Sequence, residues 1–430
     1  MRSKKSRKFY GWIILLATVL IYFSAGATLW YSYNPMQIAL ISEFGWSRTV
    51  LAIPYTFFLF NISLSSPLIG ILVQKFGSRK IIVLGTITSV VGLLGMYLTT
   101  EIWQVFLFYS VLGGFGFGFT ARMPIEVLLV NWFSRRRSLA FGLQMAAGAA
   151  AGSVFTPLIT WFISSVGWRF TWIILAGIFL VTGVVSIIVI RNKPEDIGQV
   201  PDGETIDTNQ ILSMEKLIPN RNARANRVYQ TSVDWTVKDA FCTRAIWLMM
   251  VFSTAMGFAR YIIQQHHMLY VKDLGFSAML AATTLSFHLL MSAVGRIVAG
   301  TLGVKFEMRY VSAFFLATLA IGMFIMLNAT TIPLLYLYTG LTGLSYGAIM
   351  VGPPTLEANY YGRKNFAIIN GYLYAEGAIT TNFAPAYAAW IYDSTGSYII
   401  AILSGIALLA VGLVCALLAR PPKPKIEKIK

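Results

Sequence analysis

Apolar residues along this 430-residue chain run in long blocks separated by short basic segments. A block of about 20 apolar residues is long enough to cross the ~30 Å hydrocarbon core of a bilayer as a helix. Such blocks fall at 10–33, 49–73, 80–99, 104–130, 138–164 and 168–190, and again at 245–271, 278–303, 309–327, 332–358, 366–391 and 397–419. The pattern predicts an all-α membrane protein with twelve transmembrane helices, six on each side of a polar stretch at 191–244.

A repeated phrase turns this count into an architecture. Gly70-Ile-Leu-Val-Gln-Lys75-Phe76-Gly-Ser-Arg79 returns 230 positions later as Gly300-Thr-Leu-Gly-Val-Lys305-Phe306-Glu-Met-Arg309, each copy between two apolar blocks. Phe44-Gly45-Trp46-Ser47 faces Leu274-Gly275-Phe276-Ser277 at the same offset. With a drift of a residue or two, Asn131-Trp-Phe-Ser-Arg-Arg faces Asn359-Tyr-Tyr-Gly-Arg-Lys, and Gly142, Gly148 and Gly167 face Gly371, Gly377 and Gly396. The expected organisation is two pseudo-symmetric six-helix bundles, 1–190 and 245–419, a cytoplasmic linker at 191–244 and a cytoplasmic tail at 420–430. Parallel repeats of this kind are a habit of transporters.

Composition excludes a soluble fold, since 57% hydrophobic and 12% charged residues leave too little polar surface for a soluble domain of this length. The net charge of +17 is topological rather than a sign of nucleic-acid binding. Of 34 Lys and Arg, twenty-eight fall in the termini, the linker and the loops on one side; Arg48, Arg169 and Lys272 fall on the other, and three lie inside spans. The positive-inside rule therefore puts both termini and the linker in the cytoplasm of a cell (inner) membrane protein, with basic loops facing anionic lipid headgroups. The basic start followed by an apolar run is too long for a signal peptide and reads as a retained first span. Cys242 and Cys415 form no metal or disulfide pattern. The glycines at 113–118 have no preceding strand and read as helix-packing residues, not a phosphate loop. No cofactor, metal or catalytic residue is expected.

Chemistry concentrates in six fixed charges inside the spans: Arg122, Arg260 and Arg296 against Glu126, Glu357 and Glu376. Charges in hydrocarbon are costly and mark pathways or partners. Arg296 shares a helical stripe with Ser292 and His288, four and eight residues earlier, and its planar guanidinium suits a carboxylate. The bland alternative pairs it with a carboxylate such as Glu376. Glu376 lies mid-span, where a desolvated carboxyl can serve as proton carrier or permanent ion-pair partner. Arg122 and Glu126, spaced i, i+4, either neutralise each other on one helix face or present Arg122 to a cavity opposite Arg296. Arg260 and Glu357 read as interhelical locks. His266, His267 and His288 are proton-carrier candidates or hydrogen-bonded structural residues. Tyr346 and Tyr374 are candidate cavity walls.

Two six-helix halves with a Gly-x-x-x-x-Lys-Phe-x-x-Arg loop resemble the major facilitator superfamily over essentially the whole chain. Gly11-Trp12, Leu72-Val-Gln-Lys-Phe-Gly-Ser-Arg79, Trp132-Phe-Ser-Arg-Arg-Arg-Ser-Leu-Ala-Phe-Gly142 and Gly167-Trp-Arg169 are similar to the monocarboxylate transporters, with the oxalate/formate exchangers close by. The resemblance implies alternating access and a substrate anion held by the span-eight arginine, Arg296. It also marks departures: Gln74 and Val304 stand where the loop usually has an acid, Ser292 where an Asp is common, Trp30 where a Lys is common, and Glu376 where the exchangers have a second cation.

The reading is a monomeric secondary transporter of a small carboxylate. Substrate contacts fall to Arg296, Tyr346, Tyr374 and Arg122, proton coupling to Glu376, His288, His267 or Glu126, and the conformational loops to Lys75, Arg79, Lys305 and Arg309. Partners are the carboxylate, the bilayer and a proton or counter-anion. Exchange of the oxalate/formate type and export of a larger amphipathic compound remain as alternatives. A membrane sensor fits poorly beside a tail of only ten residues after Arg420.

Overall fold

In a computed structural model, residues 9–46, 48–203 and 228–423 are described. The basic N-terminal tail, the middle of the expected linker and the end of the C-terminal tail lie outside them.

With no water in hydrocarbon, backbone N–H and C=O groups must bond within the chain, and helices satisfy them all internally. The first half contains α1 (Gly11–Ala25), α2 (Tyr33–Phe44), α3 (Arg48–Leu64), α4 (Ser66–Phe76), α5 (Ser78–Tyr97), α6 (Ile102–Val105), α7 (Gly114–Ala121), α8 (Met123–Trp132), α9 (Arg137–Val166) and α10 (Trp168–Val189). A short helix, α11 (Val237–Phe241), precedes the second half. That half contains α12 (Arg244–Asp273), α13 (Ala278–Lys305), α14 (Met308–Met326), α15 (Ile332–Met350), α16 (Gly352–Tyr361), α17 (Phe366–Thr380), α18 (Ala384–Thr395) and α19 (Ile399–Leu418).

Among the described residues, ten helical stretches are long and apolar enough to cross a membrane. The second expected span is α3 and α4, bent by 47°. The eleventh is divided into α17 and α18 by a turn at 381–383. Other spans are irregular without ending. A π-helical turn at Gly26–Trp30 continues α1, and another at Phe106–Gly113 joins α6 to α7. The fourth and tenth spans, which correspond in the repeat, both break well past the middle. Arg122 leaves helical geometry (φ −120°, ψ −91°) before Pro124, and α15 gives way to α16 at Gly352-Pro353-Pro354. Proline removes a helical hydrogen bond and crowds the preceding turn, so these sequences locate the breaks.

Two crossings hold the halves together: α9 on α13, and α4 on α17. Each relies on a glycine from both repeats. A Cβ on Gly142 would fall 2.4 Å from the Arg296 carbonyl oxygen, and one on Gly300 would fall 2.9 Å from that of Ser138. At the second crossing, Gly70 meets the Ala367 oxygen at 2.4 Å and Gly371 meets that of Ser66 at 2.7 Å. The four glycines are repeat partners, Gly70 with Gly300 and Gly142 with Gly371.

Polar ties extend these crossings to the face bearing the basic loops. Gln74 Nε2 donates to Asn365 Oδ1 (2.7 Å), Arg137 to Asn359 Oδ1 (2.8 Å) and Ser138 Oγ to the Gly300 carbonyl (2.9 Å). Gln74 thus ties the halves through a neutral amide, where the resemblance led us to expect an acid. The repeated loops differ in backbone as well. Gly77 adopts φ +81°, which only glycine takes readily, whereas its partner Glu307 sits at φ −55°. Glu307 instead accepts the Tyr229 backbone N–H of the linker.

Candidate functional site

Behind the face bearing the basic loops, the two halves border a chamber in two parts that share lining residues. The larger, an open space of about 950 Å³, is bordered by Arg122, Arg260, Glu357, Asn370, Tyr374 and Glu376 among others. The smaller, about 530 Å³, is bordered by Tyr22, Tyr31, Arg122, Arg260, Arg296 and Tyr346. Trp30, Arg122, Arg260 and Met350 border both parts. Trp30 packs against Phe58 and Phe117, so an indole stands where the resemblance led us to expect a lysine.

Arg296 is where the sequence placed it, on α13 with its guanidinium at the chamber. It is not paired with Glu376: its Nη1 crosses to the other half and donates to the Met145 carbonyl of α9 at 2.6 Å. Its Nε is buried and has no partner among the described residues. The stripe shared with His288 and Ser292 does not reach the chamber as a unit. The carbonyl oxygens of His288 and Ser292 lie against α15, 2.2 and 1.9 Å from where Cβ atoms on Gly343 and Gly347 would sit.

Of the two readings open for Arg122 and Glu126, a neutralising pair on one face or Arg122 presented to a cavity, the structure bears on both: the helix breaks at Arg122, and Arg122 borders both parts of the chamber. Glu126 lies in the first turn of α8, where the helix end favours a carboxylate. It accepts hydrogen bonds from Tyr374 Oη (2.6 Å) and Asn370 Nδ2 (2.5 Å), both from α17 of the other half. The Arg122 guanidinium lies over the Tyr374 ring, 3.8 Å from its centroid. Two residues from each half therefore form one cluster, a cation on a ring whose hydroxyl binds the anion.

Sequence reasoning passed over Arg260 and Glu357 as locks, yet both border the chamber. Arg260 lies midway along α12, hydrogen-bonded to Gln264 (3.0 Å) and set 4.9 and 5.0 Å from the rings of Tyr261 and Tyr346. Its position at the centre of a 30-residue span was the available signal. Glu357 follows the proline break by one turn and is only 1% exposed. Glu376 borders the larger part and accepts the Thr254 hydroxyl at 2.6 Å.

The histidines are elsewhere. His267 bonds to Tyr338 Oη (2.8 Å) and Thr284 Oγ1 (2.9 Å), His288 to Thr342 Oγ1 (3.1 Å), and His266 to Tyr398 Oη (3.3 Å). All three are buried and hydrogen-bonded in the second half. Of the loop residues, Arg79 Nε donates to the Ile187 carbonyl (3.0 Å), and Arg309 lies beside Tyr310. Lys75 and Lys305 are exposed.

Two six-helix halves, broken spans and a charged chamber between them define a secondary-transporter architecture. The chain belongs to the major facilitator superfamily, whose description matches residues 14–338. A solved structure titled as the major facilitator superfamily transporter FucP in the outward conformation shares the fold, with a TM-score of 0.67 and 14% identity over 96% of this chain and all of that one. Human monocarboxylate transporter 1 is 25% identical over 91% of this chain and 81% of its own length. Monocarboxylate transporter 2 of Mesocricetus auratus is 25% identical over 48% of this chain, a match spanning only 44% of that relative. Monocarboxylate transporter 1 of Bos taurus is 32% identical over 33% of this chain and 27% of its own.

Proposed function

We propose that this transporter moves a small organic anion of the carboxylate class by alternating access, coupled to a proton. The observation that carries the reading is the meeting of Arg122, Arg260 and Arg296 at one part of the chamber. Guanidinium groups remain charged and match the planar, two-oxygen geometry of a carboxylate, and aromatic walls suit a small organic body. Arg296 is the primary anchor, because its backbone forms the α9 crossing while its side chain reaches the chamber. Rocking of the halves thus bears directly on the anchor. The basic face is assigned to the cytoplasm by the positive-inside rule, with both termini there.

Three cations also support a second reading, exchange of an anion carrying two negative charges. A hydrophobic cation is disfavoured by the same charges. The test is uptake of labelled lactate, pyruvate, formate and oxalate into proteoliposomes under an imposed pH gradient. Transport of at least one, abolished in Arg296→Gln, is expected. Carriage of none, or normal rates in both Arg296→Gln and Arg296→Lys, overturns the proposal.

A further inference from the structure

The proton-coupled reading leaves the proton's binding site open, and four earlier candidates are already engaged. His267 and His288 are hydrogen-bonded within the second half. Glu376 holds the Thr254 hydroxyl, and Glu126 holds Tyr374 and Asn370. Glu357 differs from all of them: both carboxyl oxygens are buried without a hydrogen-bond partner among the described residues, and the residue borders the chamber.

We propose that Glu357 binds and releases the coupling proton, entering this conformation of the transport cycle as the neutral acid. The inference rests on the proposed proton-coupled function. Its warrant is desolvation: an ionised carboxylate buried without donors is strongly disfavoured, and such a group takes up a proton instead.

Its surroundings agree. Glu126 of α8, whose partners Asn370 and Tyr374 border the same chamber part, is of like sign. From α12, Arg260 and Tyr261 border the same chamber part, as do Arg122 before α8 and Tyr374 and Glu376 of α17. Arg260 is engaged with Gln264 and two rings, and Arg122 with Tyr374. From α9, Arg137 is held by Asn359. Tyr346 of α15 borders the adjoining part, Arg309 of α14 acts on Tyr360, and Tyr361 is the titratable neighbour on α16 itself. No hydrogen bond from these groups to Glu357 exists among the described residues.

Repositioning of α16 as the halves rock would change this environment. Exposure to water, or approach of a guanidinium, ionises the carboxyl and releases the proton on that side. Deprotonation then requires neither a histidine nor the Asp and Lys that the resemblance led us to expect at Ser292 and Trp30.

The experiment separates coupling from translocation in proteoliposomes, using labelled lactate with oxalate as a second probe. Wild type should accumulate probe against its gradient when protons are driven inward. Glu357→Gln, fixed as neutral, should keep equilibrium exchange of labelled for unlabelled probe within about threefold of wild type while losing accumulation at least tenfold. Glu357→Asp should recover accumulation with a displaced pH profile. Full accumulation by Glu357→Gln overturns the assignment, as does loss of both exchange and accumulation in a variant that melts like wild type. Wild-type uptake indifferent to the proton gradient overturns coupling and assignment together, whereas no uptake of any anion overturns the transport reading itself.

Discussion

Asp202 and Asp234 perform the same task on the two halves. Asp202 Oδ2 accepts the backbone N–H groups of Ser134 and Arg135 at 2.9 and 2.6 Å, and Asp234 Oδ1 accepts those of Arg363 and Lys364 at 3.1 and 3.2 Å. The two capped loops are repeat partners, with the caps one residue apart in register. Cross-ties accompany them: Glu195, beside the first cap in sequence, pairs with Arg363 (2.9 Å), and the Gln230 side chain bonds to Ser134. The described ends of the segment joining the halves therefore also strap the face bearing the basic loops.

Neutralising both caps should loosen that face. Hydrogen bonds to a charged acceptor contribute roughly 1.5–3 kcal/mol, and asparagine keeps the left-handed backbone that Asp202 adopts at φ +60°. Asp202→Asn with Asp234→Asn is expected to shift the balance toward the state open at this face by at least tenfold. Spin labels at the exposed Lys75 and Lys364 would report it as a second, longer distance. An unchanged distance distribution would remove the strap from the conformational account.

Glycines that pack between halves should behave differently from those that pack within one. A Cβ on Gly347 would fall 1.9 Å from the Ser292 carbonyl inside the second half, so Gly347→Ala should lower the melting temperature in every state. Overpacking of this kind costs about 1–3 kcal/mol. Gly142→Ala strains only the α9–α13 crossing between the halves. Its melting temperature should fall less, while the same spin-label pair should show greater opening. Equal effects of the two substitutions on both measurements would contradict the distinction.

On the opposite face, Glu43 accepts hydrogen bonds from the Trp168 indole and from Arg169. The indole bond first, and the guanidinium second, hold its carboxyl below the usual carboxylate range. A group whose folded pKa is lowered contributes stability that is present above its unfolded pKa and lost as pH falls through the folded one. The wild-type advantage over Glu43→Gln should therefore be full at pH 7 and shrink as pH drops below the ordinary carboxylate value of about 4.3. Thermal melts at pH 7 and pH 3.5 check it. The effect is small, since both side chains are more than a third exposed.

Much of the scaffold was legible because lipid leaves few options. Long apolar blocks can only be helices, and four of the repeated glycines, Gly70, Gly142, Gly300 and Gly371, pack at the crossings, whereas a Cβ on Gly167 or Gly396 would meet nothing within 4 Å among the described residues. The charges were harder to assign. The break at Arg122 takes that residue off a continuous helix and sets Glu126 toward Asn370 and Tyr374, contacts that sequence spacing does not show. Arg260 and Glu357 are hard to assign because a sequence shows that a charge lies within a span but not which face of the helix meets the cavity. That face depends on how two halves, distant in sequence, are docked.

The three guanidiniums give a way to count the substrate's charges. If the cargo carries one carboxylate anchored by Arg296, Arg260→Gln should leave lactate uptake within a fewfold of wild type, because Arg260 remains a wall. If the cargo carries two, the second carboxylate needs a second guanidinium, and Arg260 and Arg122 border the same chamber part as Arg296. Loss of one charged hydrogen bond of roughly 1.5–3 kcal/mol weakens binding about 10- to 150-fold. Arg260→Gln should then depress oxalate uptake by that factor, and Arg122→Gln should act similarly while also releasing Tyr374. Concentration dependence of lactate and oxalate uptake in the two variants decides the matter. A loss confined to oxalate supports the two-charge cargo, and a loss shared equally by both probes would mean that Arg260 sets the general potential of the chamber and does not grip a particular carboxylate.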